Sequence, residues 1–208
     1  MQLPKSLIGM KVISKQIIPV LLCLGLVFCF AMASAQVKPS SSPRFNKDLA
    51  DANLSFTLPN GFKEAKPVND DAFDYAIEVP DGDFEIWFEA KSLKDNKPVK
   101  LKNDKQVNPD SLYLEMGRDQ AEALKGDKDY LTRSIPQNSL SRYGADAGKT
   151  YLVNLPDAPS TKHYKYAMVV VLQKNRVGTL EAVCFGNELG PGFFKYLGMA
   201  QSCIKFNP

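Results

Sequence analysis

The chain has 208 residues, of which 26 are basic and 23 acidic, so its formal net charge is +3. Lys5, Lys11 and Lys15 lie at the extreme N-terminus, and the remaining 23 basic residues balance the 23 acidic ones. A neutral domain lacks the excess of Lys and Arg that binding to phosphate backbones requires, so nucleic acid and strongly anionic membranes are excluded as expected partners.

The first 35 residues have the pattern of a secretory signal peptide. Basic residues precede an apolar run over residues 17–33, and the small-residue stretch AMASA follows at residues 31–35. Pro19 and Gly25 interrupt the apolar run, which argues against the alternative of an uncleaved membrane anchor. We therefore expect a signal peptide at 1–35, and an exported chain with no stable membrane insertion after cleavage.

Export bears directly on the cysteines. Two of the four lie in the leader, so the exported chain keeps Cys184 and Cys203. In an oxidising compartment two thiols most often form one disulfide, and closing a loop of about twenty residues contributes on the order of 3 kcal/mol. The alternative is two buried free thiols that pack as small hydrophobic side chains.

The exported part is predicted to be one domain behind a short linker. Residues 36–44 are polar and contain two prolines, as is typical of a flexible linker, and residues 45–208 have the usual length of a single domain. Residues 53–58 alternate polar with apolar side chains and predict a first strand. That strand ends at Pro59-Asn60-Gly61, a turn that requires a positive φ at Asn60 or Gly61.

A hairpin is predicted next, from strands at residues 73–79 and 84–90 joined by a turn through Asp81-Gly82. In its second strand, alternation places Glu85, Trp87 and Glu89 on one face and large apolar residues on the other. We expect the face with the two glutamates to be exposed to solvent.

From Asn108-Pro109 onward, the spacing of apolar residues changes from that of a strand to that of a helix. Asn is a good N-cap, and Pro fits the first helical position. Apolar residues at three- and four-residue spacings predict a helix over residues 110–125, ended by Gly126. Gly117 in its middle costs about 1 kcal/mol relative to Ala, which close packing against the sheet would explain.

The second half of the chain is rich in strands. The run Met168-Val169-Val170-Val171-Leu172 is apolar on both faces, so its strand is predicted to be central, with helical layers on both sides of the sheet. The predicted strands are 130–135, 149–155, 164–173, 177–185 and 204–206, and the second helix is 192–201. The fold class is therefore α+β, an antiparallel-rich sheet flanked by helices in an α/β/α sandwich.

This layout resembles the PsbP-like families, which include thylakoid-lumen photosystem proteins, a Ran-binding import factor and bacterial periplasmic proteins of the DcrB type. The resemblance rests on LSFTLPNGF at residues 54–62, the hairpin through Asp81-Gly82, the helix after Asn108-Pro109, the turn KNR at 174–176 and the ending CIKF at 203–206. It implies a largely non-catalytic protein, and no family site residue can be transferred to a position here.

Two motifs have a catalytic and a structural interpretation. Residues 143–150 (YGADAGKT) match a phosphate-binding loop except that Tyr143 replaces its first Gly, but the following residues predict a strand where that loop requires a helix. His163 is the only histidine, and neither further zinc ligands nor a G-x-S-x-G turn accompany it. We expect a turn at 143–150 and an exposed strand-edge histidine.

Acidic residues offer two weaker hypotheses. Calcium would use oxygens from a loop cluster of Asp70, Asp71, Asp74, Asp81 and Asp83, although their spacing matches no EF-hand and suits turn formation better. The two glutamates beside Trp87 would form a glycosidase pair only across a cleft. We expect no metal, cofactor or catalytic residue.

Trp87, the only tryptophan, either packs under a helix or serves as an exposed partner contact. Asn53-Leu54-Ser55 also fits a glycosylation sequon in a eukaryotic context. We predict a non-enzymatic secreted or periplasmic protein that binds another protein of the cell envelope. The alternatives are an inhibitor or immunity protein against an exported toxin, and a hydrolase with a dispersed site.

Overall fold

The computed structural model describes residues 40–68, 72–80, 82–95, 97–100 and 106–208, which belong to one compact unit. The predicted signal peptide lies outside the described residues, and so do residues 36–39 of the predicted linker. Within the described ranges, no helix is both long and apolar enough to cross a membrane.

The elements confirm the α+β class. The helices are α1 (Pro43–Asp51), α2 (Leu112–Lys125), α3 (Gln137–Tyr143) and α4 (Pro191–Ala200), with short 3-10 turns at Pro109–Ser111 and Pro159–Thr161. The strands are β1 (Leu54–Phe56), β2 (Lys63–Ala65), β3 (Tyr75–Glu78), β4 (Phe84–Ser92), β5 (Val99–Lys100), β6 (Gln106–Val107), β7 (Tyr130–Ser134), β8 (Ala147–Asn154), β9 (Tyr166–Lys174), β10 (Gly178–Gly186) and β11 (Ile204–Phe206).

The main sheet has seven strands in the order β2-β3-β4-β10-β9-β8-β7, and every neighbouring pair is antiparallel. Two hydrophobic clusters cover its faces: one contains side chains from α2, and the other contains side chains from α1, α3, α4 and the β1–β11 ribbon. This is the predicted α/β/α sandwich. The predicted central strand is β9, where Val169 and Val171 are fully buried.

The N-terminal boundary differs from the predicted linker. Pro43 begins α1, Ser42 caps it by accepting a hydrogen bond from the N–H of Phe45, and Ser40 is buried with its hydroxyl donating to Asn46 at 2.8 Å. The ring of Phe45 stacks on Tyr75 at 4.6 Å between centroids. The folded structure therefore extends into the segment predicted as linker, because α1 buries its apolar face on the sheet.

The segment 143–150 contains a turn and a strand, as predicted. Helix α3, which the sequence did not indicate, ends at Tyr143, and Gly144 follows in the left-handed region at φ 62°. The chain then enters β8 at Ala147, so no helix follows the Gly-Lys-Thr and no phosphate-binding geometry forms.

Helix α2 lies on the sheet as predicted. Asn108 accepts a hydrogen bond from the N–H of Asp110 at 3.0 Å, in its role as cap of the preceding 3-10 turn. Gln173 of β9 is fully buried, accepts from the N–H of Tyr113 and donates to the carbonyl of Asp110. These bonds fix the start of α2 over β8, β9 and β10, which are the sheet strands it packs against.

Candidate functional site: a groove beside the long helix

Because α2 covers the β8 side of the sheet, a groove of about 570 Å³ remains between this helix and β4. Strand residues form one wall and α2 forms the other, while Phe73 and the 3-10 turn at Pro159–Thr161 contribute to the ends. The lining includes Phe73, Trp87, Glu89, Lys91, Met116, Asp119, Glu122, Ala123 and Glu181.

The apolar part of the groove is built around Trp87. Its ring packs against Phe73 at 5.3 Å and Phe185 at 4.5 Å between centroids, and it is only 2% exposed. The interpretation of Trp87 as an exposed partner contact is therefore wrong in this structure, because the indole is enclosed by its neighbours. Trp87 packs in the interior, which was the other interpretation of this residue, and it contributes to the groove only as part of the lining.

Beside Trp87, a buried carboxylate is bound by a lysine. Glu85 is 0% exposed, and the ammonium of Lys162 lies 2.7 and 2.9 Å from its two oxygens. The indole N–H of Trp87 donates to the same carboxylate at 2.6 Å. The prediction that this face of β4 is exposed to solvent is thus wrong at Glu85, because its charge is paired and hydrogen-bonded in the interior.

The turn that supplies Lys162 is conformationally unusual. Lys162 and His163 both have positive φ, at 52° and 63°, a region that costs non-glycine residues on the order of 1 kcal/mol each. Backbone N–H groups of both residues bond back to the carbonyls of Pro159 and Ala158. Tyr164 follows, and burial together with the Glu85 carboxylate raises its pKa.

Carboxylates dominate the polar part of the groove. Glu89 of β4 and Glu181 of β10 are direct cross-strand partners, and Asp119 and Glu122 face them from α2. The Nζ atom of Lys91 lies 3.0 Å from Oε1 of Glu89, and Lys91 is the only basic residue in the described lining. Like charges directly opposite on neighbouring strands are unfavourable, and the ammonium of Lys91 beside Glu89 reduces this repulsion.

The two glutamates on β4 do not form a glycosidase pair. Glu85 is bound by Lys162 and Trp87, whereas Glu89 lines the groove and pairs with Lys91. The two carboxyl groups therefore do not face a common cleft, as the general acid and the nucleophile of a glycosidase must.

His163 lies outside this groove lining. Its Nδ1 is 2.6 Å from Oδ1 of Asp157, and the side chains of both residues are largely exposed. It lies in the turn before β9, close to the strand edge that the sequence predicted. In the described contacts no hydroxyl joins the pair, so a hydrolase site centred on His163 gains no support.

Within the predicted loop cluster of aspartates, Asp74 has a structural role. The side chain of Asp74 is 4% exposed, accepts from the N–H of Ala90 at 3.1 Å and pairs with Arg44 at 3.0 Å. Burial raises the pKa of Asp74. Asp70, Asp71 and Asp81 lie outside the described residues, and within those residues no group of three or more metal-ligating side chains is assembled.

The sequon asparagine is also engaged. Asn53 has a φ of 54°, and its side-chain amide makes hydrogen bonds of 3.4 Å with the backbone and side chain of Asn207. These bonds tie the start of β1 to the end of the chain.

The predicted disulfide is not formed in this structure. Cys184 of β10 and Cys203 before β11 are both buried free thiols, and both line an apolar cavity of about 40 Å³ on the sheet face opposite α2. Burial raises the pKa of Cys203 to about 12, and burial together with Cys203 raises that of Cys184. The thiols pack as small hydrophobic groups, which was the stated alternative.

This arrangement predicts how the thiols react. At pH 8 both are protonated and shielded, so folded protein is expected to take up no maleimide, because the thiolate is the reactive form. Unfolded protein that lacks residues 1–35, and with them Cys23 and Cys29, is expected to gain two adducts without any reductant, measured by intact mass. A protein that gains adducts only after reduction would instead carry the disulfide.

Comparisons with known proteins add a fold-level likeness. No family model matches the chain, and no curated protein matches it. The solved structures include a similar chain described as the solution structure of cyanobacterial PsbP (CyanoP) from Synechocystis sp. PCC 6803. Identity is 13%, the match covers 75% of this chain and 88% of that chain, and the TM-score is 0.40. The finer resemblance to DcrB-type proteins stays a prediction.

Sequence reasoning missed most of the groove. Alternation did place Trp87 and Glu89 on the correct face of β4, but it gave no sign that α2 would bring Asp119 and Glu122 opposite them. Lys162 was also missed. A usable signal was Glu181, a charged residue inside the apolar run of β10, because a charge on a buried strand is normally paired.

Proposed function

We propose that this chain is an exported, non-catalytic accessory protein that uses the groove beside α2 to bind another protein of the cell envelope. The observation that supports this most is the groove itself, a cleft of about 570 Å³ with an apolar base and polar walls. Binding sites are typically concave, mostly apolar and supplied with a few placed polar groups.

A binding role suits the chemistry of the site better than catalysis does. The carboxylate of Glu85, the most deeply buried charge beside the groove, is bound by Lys162 and the indole of Trp87. A carboxylate held in this way is enclosed by its partners and does not line the groove. The alternative of an inhibitor or immunity protein predicts an exposed apolar patch near Trp87, and Trp87 itself is 2% exposed.

A blocking substitution tests the proposal. Ala123 lines the groove from α2 and is exposed, so Ala123→Trp is expected to fill the groove without disturbing the core. Ala50 is an exposed alanine on α1, which packs on the opposite face of the sheet, and Ala50→Trp is the matched control. When immobilised, the wild-type protein and the Ala50→Trp variant are both expected to capture one protein from the native envelope fraction. The amount captured is measured by mass spectrometry.

The amount of that protein recovered with the Ala123→Trp variant is expected to be at least tenfold lower. Equal recovery by both variants would show that the groove is not the binding surface. Circular dichroism and thermal unfolding of both variants establish that the loss does not come from misfolding.

A further inference from the structure

We infer that strand β7, at one edge of the main sheet, pairs antiparallel with β7 of a second copy of this chain, so that two sheets join edge to edge in a two-fold dimer. No residue of β7 lines the groove, and β10, β9 and β8 separate β4 from β7. The inference therefore goes beyond the proposed function and does not rest on it.

Strand β7 is an exposed edge. In the described sheet it has one neighbour, β8, and residues 131–134 are all exposed. Leu131 is 73% exposed, more than any other large hydrophobic side chain in the described part of the chain. An edge strand presents a row of unpaired N–H and C=O groups, which makes it a template for a strand of another chain.

The opposite edge of the sheet is protected in a way that β7 is not. Strand β2 is three residues long and contains Lys63 and Glu64, and the N–H of Ser41 donates to the Glu64 carboxylate at 2.9 Å. Short length, charge and a covering segment are the usual protection against strand addition. Strand β7 has five residues and no proline, and its exposure leaves the edge accessible.

The hydrogen bonds to β8 determine which backbone groups of β7 face outward. Directly after β7, the N–H of Ile135 donates to the carbonyl of Gly148 at 3.1 Å. Backbone groups alternate in direction along an antiparallel strand, so the outward N–H and C=O groups belong to Tyr130, Thr132 and Ser134. A second antiparallel strand can bond only in a register that sets these even-numbered residues opposite one another.

Side-chain complementarity selects one of the permitted registers. With the two-fold axis at Leu131, this leucine lies opposite its own copy, and Asp129 lies opposite Arg133 of the second copy. Asp129 and Arg133 are both exposed, so two ion pairs would flank an apolar centre. Odd-numbered residues bond inward to β8, and side chains approach each other most closely in such non-hydrogen-bonded pairs.

The neighbouring registers lack this complementarity. An axis at Thr132 would set Leu131 opposite Arg133, and an axis at Tyr130 would set Leu131 opposite Asp129. Each of these registers places the exposed leucine against a charge. The contact is small, because about five residues of each strand take part, so we expect a reversible dimer whose fraction rises with protein concentration.

Charge exchange tests the register by sedimentation velocity, on protein that lacks residues 1–35 and keeps the whole described fold. Arg133→Asp and Asp129→Arg each set like charges opposite one another, and each is expected to weaken dimerisation at least about tenfold. An equal mixture of the two variants restores both ion pairs and is expected to dimerise. Arg176→Asp, in the exposed turn between β9 and β10, makes the same change of net charge and is expected to have no effect.

A backbone substitution tests the edge itself. The N–H of Thr132 points away from β8, so Thr132→Pro removes a bond to the second copy and leaves the described sheet intact. We expect dimerisation at least about tenfold weaker, with the thermal unfolding of the monomer nearly unchanged. Circular dichroism of every variant verifies folding.

Several results would overturn the inference. These are a protein that is monomeric at every soluble concentration, a dimer that Thr132→Pro leaves intact, and a mixture of the two charge variants that stays monomeric. The groove is tested separately, because Ala123→Trp is expected to dimerise like the wild type. Loss of the envelope partner therefore leaves the dimer unaffected, and loss of the dimer leaves the groove available.

Discussion

Replacing Lys162 with Met is expected to destabilise the protein by about 2 kcal/mol. The substitution keeps an apolar stem near Trp87 but leaves the fully buried carboxylate of Glu85 without its counter-charge. Removing one partner of a buried ion pair typically costs about 3–5 kcal/mol, and the lower value here reflects a lysine side chain that is 33% exposed. Chemical denaturation gives the free energy of unfolding directly.

A double variant controls for the loss of packing. Glu85→Gln removes the buried charge, so Lys162→Met is expected to cost at least about 1 kcal/mol less in the Glu85→Gln background than in the wild type. Additive effects of the two substitutions would mean that the ion pair contributes nothing specific. That result would contradict the description of this cluster.

Replacing Gly117 with Ala is expected to destabilise the protein by about 1–3 kcal/mol, although Ala favours helices by about 1 kcal/mol. A Cβ atom at this position would lie 2.3 Å from the ring of Tyr151 and 2.9 Å from a methyl of Val171. The ring cannot easily move, because its hydroxyl donates to the carbonyl of Leu114 at 3.1 Å. Helix α2 would therefore be pushed away from the sheet.

Gly198→Ala is the matched control in α4. A Cβ atom there meets nothing within 4 Å, so the helix propensity of Ala is expected to raise the free energy of unfolding by up to about 1 kcal/mol. A Gly117→Ala variant as stable as the wild type would show that α2 does not rest on β8 and β9 as closely as described.

The fold was largely predictable because local signals agreed with the tertiary structure. Asn108-Pro109 started the helical region, Gly126 ended α2, and the positive φ expected in the turn before residue 62 occurs at Gly61, at 84°. The strands of the main sheet that the sequence predicted lie within two residues of their observed ends. Alternation also divided the side chains of β4 correctly between its two faces.

What failed was the prediction of burial. The pattern of β4 indicated one exposed face, but Glu85 and Trp87 are covered by residues that follow about 75 to 100 positions later, in the turn containing Lys162 and in Phe185. Sequence alternation reports which side chains share a face. It does not report which distant element covers that face.

The missed helices and the cysteines illustrate two further limits. Helices α1 and α3 are too short for a clear period, and their signals at Ser42-Pro43 and Gly144 were interpreted as linker and as part of a loop motif. The disulfide was predicted from the statistics of the compartment. Whether two thiols pair depends on local geometry, which no spacing in the sequence determines.

The groove could not be predicted for the same reason as the burial of β4. The groove exists because α2 lies over β8 to β10 and not over β4, and that placement depends on Gly117 and on the hydrogen bonds of Gln173. These are contacts between residues far apart in the sequence. Composition predicted only a neutral chain after removal of the leader, and it gave no sign of a groove.

The measurement that tests the central claim most directly is site-specific photocrosslinking in the native envelope. A photoreactive phenylalanine analogue replaces Ala123 in the groove or Ala50 on α1, and the crosslinked peptides are identified by mass spectrometry. We predict one partner protein crosslinked only from position 123. The same crosslinks from both positions, or none from position 123, would contradict binding at the groove.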